Sequence, residues 1–496
     1  MTDWTDFIKC QRGLLIAPAG HGKTTAIADC LLQCPEKSCQ LILTHTHAGI
    51  ASIRKKFQQK NIPSSKYQLE TITGFAQRYV IGFLGSSVLP DEADKHYFSE
   101  AIEKCRVLMQ SKLVQIVIQS SYDGVFVDEY QDCTIDQHEM IMKLAYNLPL
   151  HLLGDPLQGI FSFESKPLVD FDRDLDLFTR FDCLPFPWRW KDSNPSLGID
   201  IFNIRQKLLN GEDIILSDNI YTQIFVEQYL KPHGEYDREY NRWLRRIINK
   251  HDSDSFLIIC PSYWDVTKFG QDHLRGDLSD RISLKSIIDF SNKFLIIDAI
   301  DGSKYYSVAQ AIDKYIMQVL TKRKIKKLDR LIDILDSLYI NKTSVKYWIK
   351  SNRFISKNAP NADRGKTLKQ LFQAFEQQAN AESLFRVIDY VLSLPNIKCH
   401  HKEVFFAVKS CVTIAKNNKL SIFEAMKIYK SRIRHRGRSI EGRCIGTTLL
   451  TKGLEFDTVI VMDAHKFVDA KNFYVAISRA CKKLIILTDN NILHFN

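Results

Sequence analysis

The 496-residue sequence predicts an α/β fold in which two parallel sheets are flanked by helices and interrupted by helical insertions. Three observations support this prediction. Short apolar runs end at polar clusters, as the strands of open α/β sheets do. A glycine-rich turn joins the first such run to a helical pattern. A long helical stretch, about residues 309–395, separates an early group of strand-like runs from a late one.

The early group lies in the first 160 residues and predicts the first sheet. Its strand-like runs are Leu14–Ala17, Leu41–Leu43, Val125–Val127 and Leu150–Leu153. Between the first two runs, Ile27, Ala28, Leu31 and Leu32 recur at helical spacing. The order of strand, loop and helix is therefore predicted at the start of the chain.

The late group predicts a second sheet that the helical stretch divides in sequence. Its runs are Phe256–Cys260, Thr458–Met462 and Leu484–Leu487. Ser421 and Glu424 have the spacing of a capping box that opens a further helix. The second α/β domain is thus predicted to contain a helical insertion.

Composition limits the classes of protein and of partner. No apolar run approaches the ~18 residues of a membrane span, and the acidic start carries no signal-peptide pattern. We therefore expect a cytoplasmic protein without a membrane partner. The net charge of +11 is compatible with a polyanionic partner and equally with ordinary solubility charge.

The segment Ala17–Thr24 has the pattern of a phosphate-binding loop, with alanine in place of the first glycine. Gly20 and Gly22 allow backbone N–H groups to surround phosphate oxygens, and Lys23 adds a positive charge. Thr24 offers a hydroxyl to Mg²⁺, while the N-terminus of the following helix favours the same anion. This loop predicts binding of a nucleoside triphosphate with Mg²⁺.

Two adjacent carboxylates follow the predicted strand that ends at Val127. Neighbouring strand residues point to opposite sides, so one carboxylate can meet a metal while the other faces water. We expect Asp128 to bind Mg²⁺ and Glu129 to act as the base that orients or activates the attacking water. Together with the phosphate-binding loop, this pair predicts hydrolysis of ATP or another nucleoside triphosphate.

The chain resembles superfamily 1 helicases of the UvrD/Rep type through a series of motifs in the family's order. The matching segments are 17–24 (motif I), 44–54 (Ia), 71–76 (Ib), 128–132 (II), 154–163 (III), 188–189 (IV), 451–456 (V) and 474–480 (VI). The resemblance implies two RecA-like P-loop NTPase domains. It also implies their limits: 1–210 with a reduced insertion at about 80–120, then 211–302 joined with 441–496, and a mostly helical insertion at 303–440.

The resemblance assigns roles to further residues. It implies that Gln158 senses the γ-phosphate and that Arg189 and Arg479 reach it, with Arg479 as an arginine finger. Trp188 would stack on the base and Glu455 would bind the ribose. The implied nucleotide-binding positions of the phosphate loop are Ala19, Gly20, His21, Gly22, Lys23, Thr24 and Thr25. The implied nucleic-acid-binding positions are His45, Thr46, Thr73, Phe163 and Thr448.

Several positions differ from the family pattern. His45 replaces the usual phenylalanine of motif Ia, and Thr73 replaces the usual histidine of motif Ib. Glu164 and Ser165 replace an Arg-Gly pair after motif III, and the upstream glutamine that reads adenine has no counterpart, since only Thr5 lies near its place. These differences predict weaker contacts with DNA and a relaxed choice of nucleotide.

Two functions follow from this resemblance. The first is an ATP-dependent DNA helicase that moves 3′ to 5′ on single-stranded or tailed DNA. The second is an NTPase switch or sensor that gates a partner nuclease with little unwinding. The short insertions resemble the helicase-like component of Gabija antiphage systems, which implies an ATPase-nuclease partner of the overcoming-lysogenization-defect (OLD) type. A DNA-binding scaffold with an inactive nucleotide site is a third possibility, which the complete set of hydrolytic residues disfavours.

Overall fold

The computed structural model describes residues 3–92, 94, 96–160, 166–182, 186–217, 221–228, 237–266, 272–289, 293–297, 302–321, 325–356, 358, 361–399, 402–436, 442–467 and 469–495. The predicted DNA contact Phe163 lies outside these residues. The chain divides into two compact units. The larger unit comprises Met1–Val88, Phe98–Ala299 and Gly437–Asn496, and the smaller one comprises Leu89–Tyr97 and Ile300–Arg436.

The first sheet of the larger unit has six parallel strands in the order β3-β2-β4-β5-β1-β6. The strands are β1 (Arg12–Ile16), β2 (Gln40–Thr44), β3 (Tyr67–Thr71), β4 (Gly124–Val127), β5 (Leu150–Gly154) and β6 (Thr179–Asp182). Every residue of β2, β4 and β5 is buried. Continuous apolar runs are typical of parallel strands that are covered on both faces, which explains why these strands were visible in the sequence.

Helices connect the strands of the first sheet. They are α1 (Thr5–Lys9), α2 (Lys23–Gln33), α3 (His47–Gln59), α4 (Ile72–Leu84), α5 (Tyr97–Leu108), α6 (Lys112–Ser121) and α7 (Ile135–Leu144). Helices α3, α4 and α7 each begin after a threonine whose side chain accepts a hydrogen bond from the first turn. The polar clusters after the strands thus serve partly to start helices.

The second sheet also has six parallel strands, in the order β12-β15-β9-β16-β17-β8. Its strands are β8 (Ile224–Gln228), β9 (Phe256–Cys260), β12 (Phe294–Ile296), β15 (Arg443–Thr447), β16 (Phe456–Val461) and β17 (Ala480–Thr488). The helices around it are α8 (Pro195–Leu209), α9 (Arg238–Lys250), α10 (Leu278–Ile288), α18 (Thr448–Thr451) and α19 (Ala470–Ile477). Two antiparallel pairs complete the larger unit: β7 (Ile214–Ile215) with β18 (Ile492–Leu493), and β10 (Tyr263–Val266) with β11 (Asp272–Arg275). The two six-stranded parallel sheets confirm the predicted α/β fold class.

The smaller unit is mainly helical, as the sequence predicts. It contains α11 (Gly302–Leu320), α12 (Lys327–Ser337), α13 (Lys342–Val345), α14 (Ala362–Gln377), α15 (Ala381–Ser393), α16 (Lys402–Asn418) and α17 (Ile422–Arg436), with the short strands β13 (Ile349–Lys350) and β14 (Arg353–Phe354). The predicted capping box is present, because Ser421 N–H donates to Glu424 and Glu424 N–H donates to Ser421 Oγ, both at 3.1 Å. The unit has its own apolar core around Leu331 and Phe375.

Among the described helices, none combines the length and the apolar character that crossing a membrane requires.

Candidate nucleotide site

A cavity of about 630 Å³ lies at the carboxyl ends of β1, β2 and β4. Parallel strands deliver the residues that follow them to the same edge of the sheet, so the polar clusters predicted from the sequence meet here. The second sheet contributes the segment Lys452–Glu455 and the side chain of Arg479 to the cavity wall. All five predicted catalytic residues line this cavity: Lys23, Glu129, Gln158, Arg189 and Arg479.

The phosphate loop needs its two glycines for conformation and for packing. Gly20 and Gly22 have φ of 72° and 90°, a left-handed region that other residues rarely adopt. A Cβ atom on Gly20 would lie 2.7 Å from the ring of Trp190 and 2.8 Å from Cβ of Arg189. Glycine at this position therefore allows the 188–190 segment to approach the loop, in addition to leaving the loop's amides accessible to an anion.

Helix α2 starts at Lys23, and its N-cap is Gly22, which has no side chain to satisfy the first-turn amides. Those amides and the helix dipole are available to phosphate oxygens. Lys23 is almost fully buried, with Nζ donating to Ala17 O at 3.3 Å and lying 3.9 Å from Glu129 Oε2. The lysine is thus held at the junction of the loop and the acidic pair.

The acidic pair consists of two carboxyl groups in different electrostatic settings. Burial raises the pKa of Asp128 above its usual range, and the neighbouring charge of Glu129 adds to the shift. Burial also acts against ionisation of Glu129, but Lys23 and Lys452 outweigh it and lower the pKa of Glu129 to about 2. Glu129 is therefore ionised at neutral pH and suited to accept a proton or orient a water.

The donors around Asp128 fit Mg²⁺. The hydroxyl of Thr24 is hydrogen-bonded to the Asp128 carboxylate, so two hard oxygen ligands already adjoin in a buried position. A buried carboxylate that resists ionisation gains most from a nearby cation. Within the described ranges, no group of three or more His, Cys, Asp or Glu side chains could hold a metal by itself. This sparse set suits Mg²⁺, which keeps waters and substrate phosphates among its ligands.

Two arginines border the cavity in fixed positions. Arg189 is paired with Glu455 at 2.8 Å, and its backbone N–H donates to Gly20 O at 3.0 Å. Arg479 is buried and donates to Val475 O at 2.9 Å, to Leu454 O at 3.3 Å and to Ser478 Oγ at 2.8 Å. Burial, reinforced by the charge of Arg189, lowers the pKa of Arg479 to about 10. The guanidinium stays charged at neutral pH, in a setting where an anion would offset its cost of burial.

Trp188 borders the cavity from outside the loop. Its side chain is 55% exposed, and a Cβ atom on Gly22 would lie 3.2 Å from its indole. Phe186 packs against it edge-on at 4.6 Å, and Lys191 lies 5.2 Å from the ring centroid. Thr25 lines the same cavity. The exposed indole face provides a surface on which a base can stack.

The predicted DNA contacts lie in different places. His45 and Thr46 line the nucleotide cavity, where His45 Nε2 is 3.4 Å from Cys133 Sγ and Thr46 Oγ1 caps α3 by accepting from Gly49 N–H. Thr73 is in the first turn of α4, and Thr448 is buried at the start of α18; neither lines the cavity. Their contact with DNA remains a prediction.

The sequence reasoning missed several residues that line the cavity. On α3, Ser52, Lys55, Lys56 and Gln59 face it. Their spacing of three, four and seven residues from Ser52 was a usable signal, because it marks one side of a helix. Asp132 and Lys452 were missed as a pair because they lie 320 residues apart. In the other direction, the imidazole of His21 does not line the cavity but packs near Trp190 and Phe202, so only its backbone remains a candidate for binding.

Part of this site lies in a segment with recognisable relatives. Residues 96–168 match the family model of the UvrD/REP helicase N-terminal domain. This segment includes Asp128, Glu129 and Gln158. Over 101 residues the chain is 29% identical to an ATP-dependent helicase/nuclease subunit of Alkaliphilus metalliredigens (strain QYMF), which covers 20% of this chain and 8% of that protein. The matched region is therefore a small part of that relative's length.

A solved structure of an Arterivirus nonstructural protein 10 (helicase) in complex with DNA superposes with a TM-score of 0.26 and 13% identity. The superposition covers 50% of this chain and 47% of that chain. Neither a shared fold nor a shared function follows from a match at this level. From the sequence matches, this chain carries a segment of the UvrD/REP helicase N-terminal domain type and is distantly related to helicases.

Proposed function

We propose that this chain is a Mg²⁺-dependent nucleoside triphosphatase of the UvrD-like helicase type, which acts on single-stranded DNA and moves along it 3′ to 5′. The observation that carries the proposal is the meeting of Lys23, Glu129, Gln158, Arg189 and Arg479 on one cavity. These residues come from both sheets of the larger unit. Phosphoryl transfer depends mainly on positioning and on cancelling charge, which such a set can supply.

Each group has a distinct task in this proposal. The free amides of the loop and Lys23 hold the phosphates, and Glu129 orients the attacking water and accepts its proton. Arg479 and Arg189 offset the charge that develops on the γ-phosphate. Mg²⁺ held by Thr24 and Asp128 would neutralise phosphate charge when bound. Trp188 stacks on the base without reading its edge.

The distribution of charge supports a nucleic-acid partner. The segment 300–436, which covers most of the helical unit, carries 27 Lys and Arg against 11 Asp and Glu, whereas the whole chain has a net charge of only +11. The positive excess of the protein is thus concentrated in one unit, as expected of a surface that attracts phosphates. This asymmetry goes beyond the ordinary solubility charge that the total alone allowed.

A second function, an NTPase switch within a defence complex, is favoured by the position of His45. The family's aromatic contact with DNA is replaced here by an imidazole that lies against Cys133 in the wall of the nucleotide cavity. Burial lowers the pKa of His45 to about 4, so the side chain carries no charge for DNA at neutral pH. A chain with weakened contacts could hydrolyse nucleotide and gate a partner nuclease with little unwinding.

Phosphate release with and without single-stranded DNA, followed by strand displacement from a 3′-tailed duplex, separates the two functions. A translocating helicase gives hydrolysis that DNA stimulates, together with displacement. A switch gives hydrolysis without displacement. Absence of hydrolysis, with Mg²⁺ and each of the common nucleotides, would contradict both.

A further inference from the structure

A buried tyrosine of the second sheet's helix α19 contacts the phosphate loop directly. Tyr474 is 1% exposed, and its hydroxyl accepts a hydrogen bond of 2.9 Å from the backbone N–H of Ala19. Ala19 immediately precedes Gly20 in the phosphate loop. The two residues are 455 positions apart in the chain, so the contact exists only because the two sheets pack together.

The same hydroxyl belongs to a hydrogen-bonded network around Asp155. Tyr474 is hydrogen-bonded to Asp155 and to Arg205, and Arg205 donates to Asp155 Oδ1 at 2.8 Å. An arginine can only donate and a carboxylate can only accept. The tyrosine hydroxyl therefore accepts from Ala19 and Arg205 and donates its one proton to Asp155, which uses its full hydrogen-bonding capacity.

Asp155 in turn holds Gln158, the residue predicted to sense the γ-phosphate. Gln158 Nε2 donates to Asp155 Oδ2 at 3.1 Å, and the side chain is 5% exposed at the cavity wall. Asp155 itself is fully buried, and its backbone N–H donates to Gln131 Oε1 at 3.0 Å. Because both oxygens of Asp155 are engaged, the orientation of the Gln158 amide depends on the position of Tyr474.

We propose that Tyr474 is a positioning residue that sets Gln158 through Asp155 and fixes the phosphate loop through Ala19, so that the second sheet controls both sides of the γ-phosphate. The proposal deepens the function proposed above and rests on it. Tyr474 does not line the cavity and touches no substrate. Its effect is therefore expected on turnover, through Gln158, more than on nucleotide affinity.

The variant Tyr474→Phe removes only the hydroxyl. We expect kcat for nucleotide hydrolysis to fall about tenfold, with KM changed less than about twofold, since one buried hydrogen bond that orients a transition-state group is lost. In the Gln158→Ala background, the same substitution should change kcat by less than about twofold, because a residue that acts through Gln158 has nothing left to position. Equal effects of Tyr474→Phe in both backgrounds, or an unchanged kcat, would overturn the proposal.

Tyr315→Phe is a matched control. Tyr315 is also buried, and its hydroxyl donates a 2.8 Å hydrogen bond to Lys327 O within the helical unit. Removing it costs a comparable hydrogen bond without touching the nucleotide cavity, so kcat should remain at the wild-type level. If Tyr315→Phe lowered kcat as much as Tyr474→Phe, the effect would be one of general stability and the proposal would be wrong.

Hydrogen–deuterium exchange gives a readout that does not need turnover. In Tyr474→Phe, the peptide containing Ala19 should exchange faster than in wild type and in Tyr315→Phe, because its amide has lost its acceptor. Unchanged exchange would reject the contact itself. If the wild-type chain hydrolysed no nucleotide, the proposed function would fail, while the exchange result would still decide whether Tyr474 holds the loop.

Discussion

The ammonium group of Lys452, just after α18, is hydrogen-bonded to the carboxylate of Asp132, which follows β4, and both side chains are almost fully buried. Lys452 also donates to the backbone carbonyl of Gln158. Burial raises the pKa of Asp132 to about 7 and lowers that of Lys452, so each charge depends on the other for its stabilisation. A single ion pair thus joins the acidic motif of the first sheet to the segment that lines the cavity from the second.

Removing one partner of this pair should be costly. Lys452→Met leaves the carboxyl group of Asp132 buried without a cation, and we expect the free energy of unfolding to fall by about 3 kcal/mol. Urea denaturation at pH 7 measures it. Lys482→Met is the matched control, since its exposed pair with Asp457 should contribute less than about 1 kcal/mol. Equal losses in the two variants would show that Lys452 and Asp132 do not form a buried pair.

Glu129→Gln should abolish turnover while leaving nucleotide bound. The amide keeps the shape of the side chain but removes the charge that Lys23 and Lys452 stabilise, so no group remains to accept the proton. We expect kcat to fall at least about a hundredfold, with little change in the Kd of a non-hydrolysable nucleotide. Near-normal phosphate release from the variant would overturn the assignment of Glu129 as the base.

Arg479→Lys tests whether geometry as well as charge matters at the second sheet's edge of the cavity. The guanidinium is held by three separate hydrogen bonds, which an ammonium group on a flexible stem cannot reproduce. We expect kcat to fall about a thousandfold and KM to change much less. A fall confined to KM would indicate that Arg479 holds the ground state only.

Nucleotide choice should be relaxed. Trp188 stacks on any base, and the sequence has no counterpart of the family's adenine-reading glutamine, so kcat/KM for GTP and ATP should agree within about tenfold. Trp188→Leu should raise KM for both nucleotides by a similar factor, about tenfold, through loss of stacking. Steady-state hydrolysis of GTP more than about a hundredfold poorer than that of ATP would contradict this prediction.

Stability should depend on pH through His151. This residue of β5 is buried between the rings of Phe7 and Phe126, and burial lowers its pKa from 6.5 to about 4. The unfolded chain binds a proton between those pH values and the folded chain does not, so the contribution is complete above pH 6.5 and is lost as the pH falls towards 4. At pH 5 the loss should be about 2 kcal/mol.

His151→Leu removes this titration, so its unfolding midpoint in urea should fall less between pH 7 and pH 5 than the wild-type midpoint. Parallel curves for the two proteins would show that His151 is not responsible. The absolute stability of the variant does not enter the comparison, because only the change with pH is used.

The elements that the sequence predicted best are those with a strong local pattern. The runs at Leu41–Leu43 and Val125–Val127 are strands, because burial on both faces requires continuous apolar residues. Strand boundaries were predicted less well; β17, for example, starts at Ala480 rather than Leu484. Its first residues, which include Lys482 and Lys483, carry no apolar pattern, so they could not be recognised as strand.

The sequence by itself determined the chemistry that can occur here: a phosphate loop, an acidic pair after a strand, and arginines within recognisable motifs. Adjacent residues fix this information, because backbone geometry over a few positions follows from residue type. Only the tertiary structure decided that Tyr474 bonds to Ala19, that Lys452 bonds to Asp132 and that His45 turns towards Cys133. These contacts join residues tens to hundreds of positions apart, and their existence depends on how the strands and the two sheets pack, which no local spacing encodes.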